Sequence, residues 1–268
     1  MPSGDAVGRA RAVSHGDFDG GWDSLARLVD GRWVERRPRR PEVAAQLRRE
    51  TRLMPWLAPR LPLPVPVPGV VSDEPLVVRH VLVPGEPLTN PGRGHGRELG
   101  LFLRALHDCP ADEASRLGVP TRPPGDTVPR FEADVVPLLP AERRETAYEL
   151  LAAARRLAGG TLVHGDLGPD HVLTADGVLT GVIDFGDVHL GDPALDLAWA
   201  LHDTAPSFAA AVADAYGVTE DQRARALTWH RLGPWHHVTF GLDRDDPVIT
   251  REGLDGVLAR LPETPGRR

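Results

Sequence analysis

The sequence contains no lysine, and all 31 of its basic residues are arginines. Its single cysteine, Cys109, excludes an intramolecular disulfide and a zinc site built from cysteines. No hydrophobic run approaches the roughly 18 residues of a membrane-spanning helix, and the N-terminal segment lacks the apolar core of a signal peptide. These absences favour a soluble, cytoplasmic protein.

The charge balance is acidic, with a formal net charge of −7 and a pI of about 5.9. Proteins that bind a nucleic-acid backbone usually present a basic face, so neither nucleic acid nor a membrane is expected as a partner. An acidic surface is compatible with a cationic small molecule, but it also serves solubility alone. We expect a monomer or a weak homodimer.

The first third of the chain is predicted to be rich in strands. Two strands flank an Asp-Gly turn at residues 30–31, and a later apolar segment predicts a further strand that runs into a Pro-Gly hinge at residues 84–85. A helix is expected over residues 41–57, with a proline at its start. Glu50 lies on the apolar face of this helix, so its carboxylate needs a cationic partner.

The rest of the chain is predicted to be mostly helical. Residues 110–130 read as a loop rich in proline and glycine, and helical patterns cover residues 99–108, 131–157 and 192–262. The prediction is therefore an α+β fold with two lobes. A small strand-rich N-terminal lobe spans residues 1–84, and a larger, mostly helical lobe spans residues 85–268.

Residues 162–187 carry five aspartates and two histidines in a stretch that otherwise reads as strands. Asp166 precedes the first strand of a short hairpin, His171 begins that strand, and Asp184 ends the second strand. Because a hairpin brings its two open ends together, these three side chains are expected to converge at one site.

Two carboxylates and an imidazole at one place allow three interpretations. They could form a metal site for hydrolysis. One carboxylate could instead orient an attacking hydroxyl while the other two residues hold Mg²⁺ on a nucleotide, or all three could be structural. The spacing favours phosphoryl transfer, because protein kinases place a catalytic Asp five residues before a metal-binding Asn and another metal-binding Asp in a later Asp-Phe-Gly. His171 follows Asp166 by this spacing, and residues 184–186 are Asp-Phe-Gly.

These motifs resemble those of the aminoglycoside phosphotransferase family, a branch of the protein-kinase-like fold. The family patterns His-Gly-Asp-x-x-x-x-Asn, Ile-Asp-Phe/Trp and Gly-Asp-Pro-x-x-Asp-Leu-Ala correspond to VHGDLGPDHVL, VIDFGD and GDPALDLA. The resemblance is strong over residues 160–200 and moderate over residues 20–107. It implies a bilobal kinase-like fold, Asp166 as the catalytic base or the residue that orients the substrate hydroxyl, and Asp184 as a ligand of Mg²⁺.

His171 stands where most of the family has Asn, and in this it is similar to the macrolide phosphotransferase branch. The resemblance therefore implies His171 as a second Mg²⁺ ligand, with ATP or GTP as the phosphoryl donor. Gly165 replaces the Arg that receives an activation-loop phosphate in protein kinases, which suggests a constitutively assembled site. His164 is expected to pack and form hydrogen bonds beneath the metal-binding loop.

The family usually holds the α- and β-phosphates of the nucleotide with a lysine, which this chain lacks. Arg36, paired with Glu50, is the predicted replacement, because a guanidinium binds phosphate as well as an ammonium does. Arg37, on the opposite face of the strand, is the competing assignment.

Further contacts to the nucleotide and substrate are predicted from short segments. The glycine-containing segment FDGGWDS, which ends at Ser24, is expected to cover the phosphates, and backbone groups from His80 to Leu82 to bind the base. Asp192, Asp196 and the carboxylates of GLDRDDP could form an acidic cleft for the substrate, or GLDRDDP could be a solvated turn. The aromatic and histidine side chains between residues 229 and 240 could line a pocket or belong to the core.

The sequence thus predicts a Mg²⁺-dependent ATP or GTP phosphotransferase that acts on a hydroxyl of a small molecule. An antibiotic (an aminoglycoside, a macrolide or a basic peptide) is the expected substrate, and resistance the expected role. The alternative within this fold is a metabolic kinase for choline, homoserine or a sugar. A nucleotide-binding pseudokinase is an alternative of another class; Asp166 and Asp184 argue against it, whereas His171 and the absence of lysine argue for it.

Overall fold

The computed structural model describes residues 16–18, 24–123, 126–157 and 159–263. An antiparallel five-stranded sheet with strand order β1-β2-β3-β5-β4 forms the N-terminal part. Its strands are β1 (Gly16–Phe18), β2 (Ser24–Val29), β3 (Trp33–Pro38), β4 (Gly69–Asp73) and β5 (Leu76–Val81). The predicted turn joins β2 to β3, and Asp30 and Gly31 both have the positive φ that a tight hairpin turn requires.

Helix α1 (Pro41–Leu57) has the predicted bounds. Its apolar face packs against β5 of the sheet through Val43 and Leu47. Glu50 lies on the same face and is only 3% exposed. The helix therefore carries a carboxylate into the space beneath the sheet.

The C-terminal part is mostly helical, as predicted. Its helices are α2 (Arg93–His107), α3 (Ala111–Arg116), α4 (Val128–Arg130), α5 (Arg144–Ala154), α6 (Ala194–His202), α7 (Pro206–Tyr216), α8 (Glu220–Asp243) and α9 (Pro247–Arg260). The prediction of a continuous loop over residues 110–130 was wrong at α3 and at the short helix α4. The sequence of α3, ADEASR, consists largely of residues compatible with a helix. Its two acidic residues lie in the first turn, where their negative charges interact favourably with the helix dipole.

Two apolar cores stabilise the helical part. The larger one lies between α1, α2, α6 and α7 and contains Phe102 and Phe208. The second packs α5, α8 and α9 around Phe131 and Trp235, and Trp235 is fully buried, so it belongs to the core and not to a pocket. Within the described ranges, no helix is both long and apolar enough to cross a bilayer.

Short strands between α5 and α6 carry the aspartate-rich segment. These strands are β7 (Thr161–Val163), β8 (Val172–Ala175), β9 (Val178–Val182) and β10 (His189–Gly191), and β6 (Glu86–Pro87), which precedes α2, pairs with β8. Strands β8 and β9 form the predicted hairpin, and β7 pairs with β10. The architecture is the predicted α+β arrangement, and the division at residues 84 and 85 stays a prediction.

His230 on α8 is a histidine whose surroundings oppose its protonation. Burial, followed by the nearby guanidinium of Arg260, lowers its pKa to about 4; His202 and Arg231 add to this effect, and Asp203 opposes it. The folded protein therefore keeps this imidazole neutral under mildly acidic conditions.

We expect the protein to lose stability as the pH falls from about 6.5, the ordinary pKa of histidine, towards the pKa of His230. Across this window the unfolded chain binds a proton that folded His230 does not, so the free energy of unfolding decreases with pH. The His230→Gln variant should show a smaller fall in Tm over this range. His237→Gln, which changes a half-exposed histidine on the same helix, should behave like the wild type. Equal Tm profiles for all three proteins would contradict the assignment.

Candidate active site

The hairpin β8–β9 brings Asp166, His171 and Asp184 together at its open end. His171 Nδ1 lies 3.7 Å from Asp166 Oδ2, and His171 Nε2 lies 3.7 Å from Asp184 Oδ2. The side chains of Asp166 and Asp184 are 63% and 51% exposed, so both carboxylates remain accessible. The three groups form one open cluster, and the roles assigned to them stay predictions.

A hydrogen bond to the backbone fixes the tautomer of His171. Its Nδ1 donates to the carbonyl oxygen of Asp166 at 2.6 Å, and a carbonyl only accepts, so Nε2 of the neutral ring keeps a free lone pair. With the Asp184 carboxylate, this nitrogen fits a Mg²⁺ ion whose other ligands are phosphate oxygens and water. Within the described part of the chain, no group of three His, Cys, Asp or Glu side chains is placed to hold a metal. Mg²⁺ commonly takes one or two protein ligands and completes its coordination with substrate phosphates and water.

Protein atoms surround one side of the Asp166 carboxylate. This burial raises the pKa of the Asp166 carboxyl; His171 opposes the rise, and the negative charges of Asp187 and Asp184 add to it. A carboxylate with a raised pKa accepts a proton more readily, which suits a general base.

The turn that follows β9 has an unusual backbone. Asp184 lies in the left-handed region with φ 63° and ψ 68°, which few residues other than glycine adopt. Gly186 lies directly against Gln46 of α1, where an added Cβ would be 2.2 Å from Gln46 Nε2. A larger residue at position 186 would have to displace the Gln46 side chain, so the turn and α1 are in direct contact here.

His164 connects the loop that carries Asp166 to the end of β9. It is fully buried, its Nε2 donates to the carbonyl of Ile183 at 2.9 Å, and its Nδ1 accepts from the backbone N–H of Asp166 at 3.3 Å. The side chain thus lies beneath the cluster, where the sequence predicted packing and hydrogen bonding.

Asp196, which the sequence analysis placed near the substrate, is fully buried and faces the loop instead. It accepts from the backbone N–H groups of His164 and Gly165 at 2.7 and 2.9 Å, and from His107 Nε2 at 3.0 Å. Burial alone would raise the pKa of Asp196, but the bonds from His107 and Gly165 hold it below its ordinary value. Its contribution to stability is therefore present at neutral pH and is lost only as the pH falls below about 4.

Three of the other carboxylates considered for an acidic cleft are also bound within the protein. Asp192 is buried and bound by Arg225. In GLDRDDP, Asp243 pairs with Arg130, and Asp246 caps the N-terminus of α9. Asp192 and Asp243 are therefore occupied by arginines, whereas Asp245 and Asp246 line a cavity of about 500 Å³ at the start of α9. Both interpretations of GLDRDDP stay predictions.

Arg36 extends from β3 towards α1. Its Nη1 donates to Glu50 Oε2 at 2.7 Å, and its Nε donates to Ser24 Oγ at 3.1 Å. Burial raises the pKa of the Glu50 carboxyl, and Arg36 opposes this rise. Arg37 is exposed on the opposite strand face. The expected Arg36–Glu50 pair is present, and its contact with phosphate stays a prediction.

The segments assigned to the nucleotide phosphates and base differ in part from expectation. Ser24 is the first residue of β2 rather than part of a loop, and residues 19–23 lie outside the described residues. His80 is buried, and its Nδ1 donates to the carbonyl of Val81 at 2.9 Å. The Leu82 N–H donates to the carbonyl of Arg32 at 2.8 Å, so this group is not free to bind a base.

Two arginines that the sequence analysis did not single out lie beside the turn after β9. Arg49 Nη2 donates to the carbonyl of Gly186 at 3.1 Å, and Arg122 Nη1 lies 2.9 Å from Asp187 Oδ1. Arg49 directly precedes Glu50, so its position in the sequence could have indicated that it lies near the site. Arg122 comes from a segment 65 residues before its partner, and nothing local in the sequence indicates this contact.

The family model of phosphotransferase enzymes matches residues 16–233, which include the whole site. The chain belongs to the phosphotransferase enzyme family. Over 156 residues it is 34% identical to viomycin phosphotransferase of Streptomyces vinaceus, covering 52% of this chain and 54% of that protein. Over 150 residues it is 30% identical to aminoglycoside 3'-phosphotransferase of Escherichia coli, covering 50% and 53%. The chain therefore spans about half the length of the curated relatives it matches.

Solved structures in the phosphotransferase enzyme family have the same architecture over nearly the whole chain. The GDP and kanamycin complex of APH(2")-IIIa superposes with a TM-score of 0.80 at 27% identity and covers 92% of both chains. Macrolide 2'-phosphotransferase MphH from Brachybacterium faecium shares the fold, with a TM-score of 0.72 at 23% identity over 94% of this chain and 93% of that one. The kinase-like α+β fold is confirmed.

Proposed function

We propose that this protein transfers the γ-phosphoryl group of ATP or GTP to a hydroxyl of a small cationic antibiotic. The observation that carries the proposal is the hydrogen bond from His171 Nδ1 to the backbone carbonyl of Asp166. It leaves the Asp166 carboxylate free to act on a substrate and leaves His171 Nε2 facing Asp184. One site therefore contains a candidate base and a candidate pair of metal ligands, as phosphoryl transfer requires.

Each residue has a defined part in the proposed reaction. The oxygen of the substrate hydroxyl bonds to the γ-phosphorus while Asp166 accepts the hydroxyl proton. The bond between the γ-phosphorus and the bridging oxygen breaks, and the nucleoside diphosphate leaves. His171 and Asp184 would hold Mg²⁺, which neutralises the charge on the phosphate oxygens when it is bound. Arg36, fixed by Glu50, supplies a permanent positive charge for the α- and β-phosphates.

The assignment of Arg36 is testable against its neighbour in the strand. We expect Arg36→Ala to raise the nucleotide KM by about tenfold or more, because a charged hydrogen bond to phosphate is lost. Arg37→Ala should leave the KM nearly unchanged, since this side chain is exposed on the opposite face. Steady-state kinetics with varied nucleotide measure both values. The reverse result would move the phosphate contact to Arg37.

A cationic substrate is supported by a pocket of about 310 Å³ beside the loop that carries Asp166. Trp199 contributes an aromatic side chain to this pocket and Asp170 a carboxylate, and Asp203, which also binds Arg260 at 3.0 Å, lines it too. Such a lining suits a protonated amine on an apolar framework. The names of the relatives, which include a viomycin and an aminoglycoside phosphotransferase, support the same class of substrate.

A transfer assay read by mass spectrometry tests the proposal. The purified protein, Mg²⁺ and either ATP or GTP would be offered viomycin, kanamycin, a macrolide, choline and homoserine. We expect one of the antibiotics to gain a phosphoryl group. Transfer only to choline or homoserine would instead make this a metabolic kinase. Nucleotide binding without any transfer would contradict the proposal and favour a pseudokinase.

A further inference from the structure

Consecutive residues of α1 contact two different parts of the candidate nucleotide site. Glu50 binds Arg36 of β3 at 2.7 Å, and Arg49 Nη2 donates to the carbonyl of Gly186 at 3.1 Å. The first contact reaches the residue expected to hold phosphate. The second reaches the turn that carries Asp184. A single rigid helix therefore sets the distance between them.

The contact with Gly186 acts on a backbone that has other conformations available. Asp184 has a left-handed backbone, and glycine at position 186 is the least restricted of residues. Gln46 of α1 fills the space beside Gly186, so the helix restrains the turn by packing as well. A directed hydrogen bond from Arg49 to the Gly186 carbonyl adds orientation, which packing alone supplies less well.

Arg49 occupies surroundings that are costly for a cation. The side chain is partly buried, and its Nε has no hydrogen-bond partner among the described residues. Burial, followed by the charge of Arg122, lowers the pKa of Arg49, while Glu50 and Asp187 oppose this effect. The neighbouring Arg48 instead points outwards and pairs with exposed Asp73 at 2.6 Å. The inward placement of Arg49 is thus specific to this position of the helix.

We propose that Arg49 is a positioning residue that fixes the turn at residues 184–187 against α1 and so orients Asp184 for the metal. This inference rests on the proposed function. Two adjacent residues of α1 then have different roles. Glu50 holds Arg36 for the phosphates, and Arg49 holds the turn that carries the metal ligand Asp184. Loss of Arg49 should therefore weaken the effect of Mg²⁺ while the phosphate contact through Arg36 stays intact.

The test compares nucleotide binding with and without Mg²⁺ in the full-length protein, using a fluorescent GTP or ATP analogue. We expect Arg49→Met, which keeps a long side chain but removes every donor, to raise the Mg²⁺ concentration for half-maximal enhancement of binding by about tenfold. Nucleotide affinity in EDTA should stay near the wild-type value. Arg48→Met, the matched control on the exposed face, should change neither quantity. Arg49→Lys, which retains one cationic donor, should give an intermediate Mg²⁺ requirement.

A wild-type Mg²⁺ requirement in Arg49→Met would overturn the inference, and so would an equal loss of affinity with and without the metal. If Arg49→Met does not fold, Arg49→Lys decides: a raised Mg²⁺ requirement at unchanged affinity in EDTA supports the inference, and a wild-type requirement overturns it. A wild-type protein whose nucleotide binding is independent of Mg²⁺ would overturn the proposed function together with this inference. If nucleotide binding depends on Mg²⁺ to the same extent in the wild type and in Arg49→Met, this inference alone is overturned.

Discussion

Replacing Asp166 by asparagine should lower kcat by a factor of about 10² to 10⁴, the usual contribution of a positioned general base. The amide has the size of the carboxylate but cannot accept the proton of the substrate hydroxyl. His171 is held by the backbone carbonyl of Asp166 and not by its side chain, so the substitution leaves the candidate metal ligands in place. We therefore expect nucleotide affinity in the presence of Mg²⁺ to stay close to that of the wild type.

Asp176→Asn is the matched control for this experiment. Asp176 lies in the turn at the far end of the same hairpin, is exposed, and has a positive φ of 51°, which asparagine also tolerates. Its kcat and nucleotide affinity should equal those of the wild type. Full turnover by Asp166→Asn would remove Asp166 from the chemistry. A parallel loss of nucleotide affinity would mean that the carboxylate itself contributes to binding.

The convergence of Asp166, His171 and Asp184 was predictable because all the residues that determine it lie in one short stretch of sequence. Asp166, His171 and Asp184 all flank one hairpin, and the turn signal between its strands fixes which ends meet. The partner of Glu50 was predictable for a different reason. A carboxylate on an apolar helix face must find a cation, and few arginines on nearby strands can reach it.

Contacts that depend on tertiary packing were not predictable from such patterns. Arg122 reaches Asp187 from an irregular segment far away in the chain, so no periodicity connects them. The Leu82 N–H is used by Arg32 only because β3 and β5 are neighbours in the sheet. Helix α3 is a single short helix, and the prolines and glycines on either side of it dominated the composition of its segment.

The aspartates of GDPALDLA show how proximity in sequence can mislead. Asp192 and Asp196 lie only a few residues beyond the Asp184 turn, which suggested contact with the substrate. Asp196 instead lies within the apolar run ALDLAWALH of α6, a helix buried against the core. A charged residue in such a run indicates a buried partner, as it did for Glu50. In this case two of the three partners are backbone N–H groups, which no sequence pattern displays, and the third is His107 of α2.

Asp196→Asn should therefore disturb both stability and catalysis. Asp196 Oδ1 and Oδ2 accept hydrogen bonds from three donors. If the amide oxygen of asparagine takes the place of Oδ2, its NH₂ group faces the N–H of Gly165, and two donors then point at each other. Loss of the hydrogen bonds to this buried charge should lower the free energy of unfolding by about 1.5–3 kcal/mol. Because two of the donors belong to the loop that carries Asp166, kcat should fall as well, even at a temperature where the variant is still folded.

The matched comparison is Asp192→Asn, which also removes a buried carboxylate of the same motif. Asp192 binds Arg225 and Trp229 of α8 and the N-terminus of α6, and none of these contacts includes the loop of Asp166. We expect this variant to lose stability in denaturant titrations and to keep a nearly normal kcat when it is folded. The separation of the two effects between neighbouring aspartates distinguishes an anchor of the catalytic loop from an anchor of the helices. An undiminished kcat in folded Asp196→Asn would show that the loop keeps its geometry without this carboxylate.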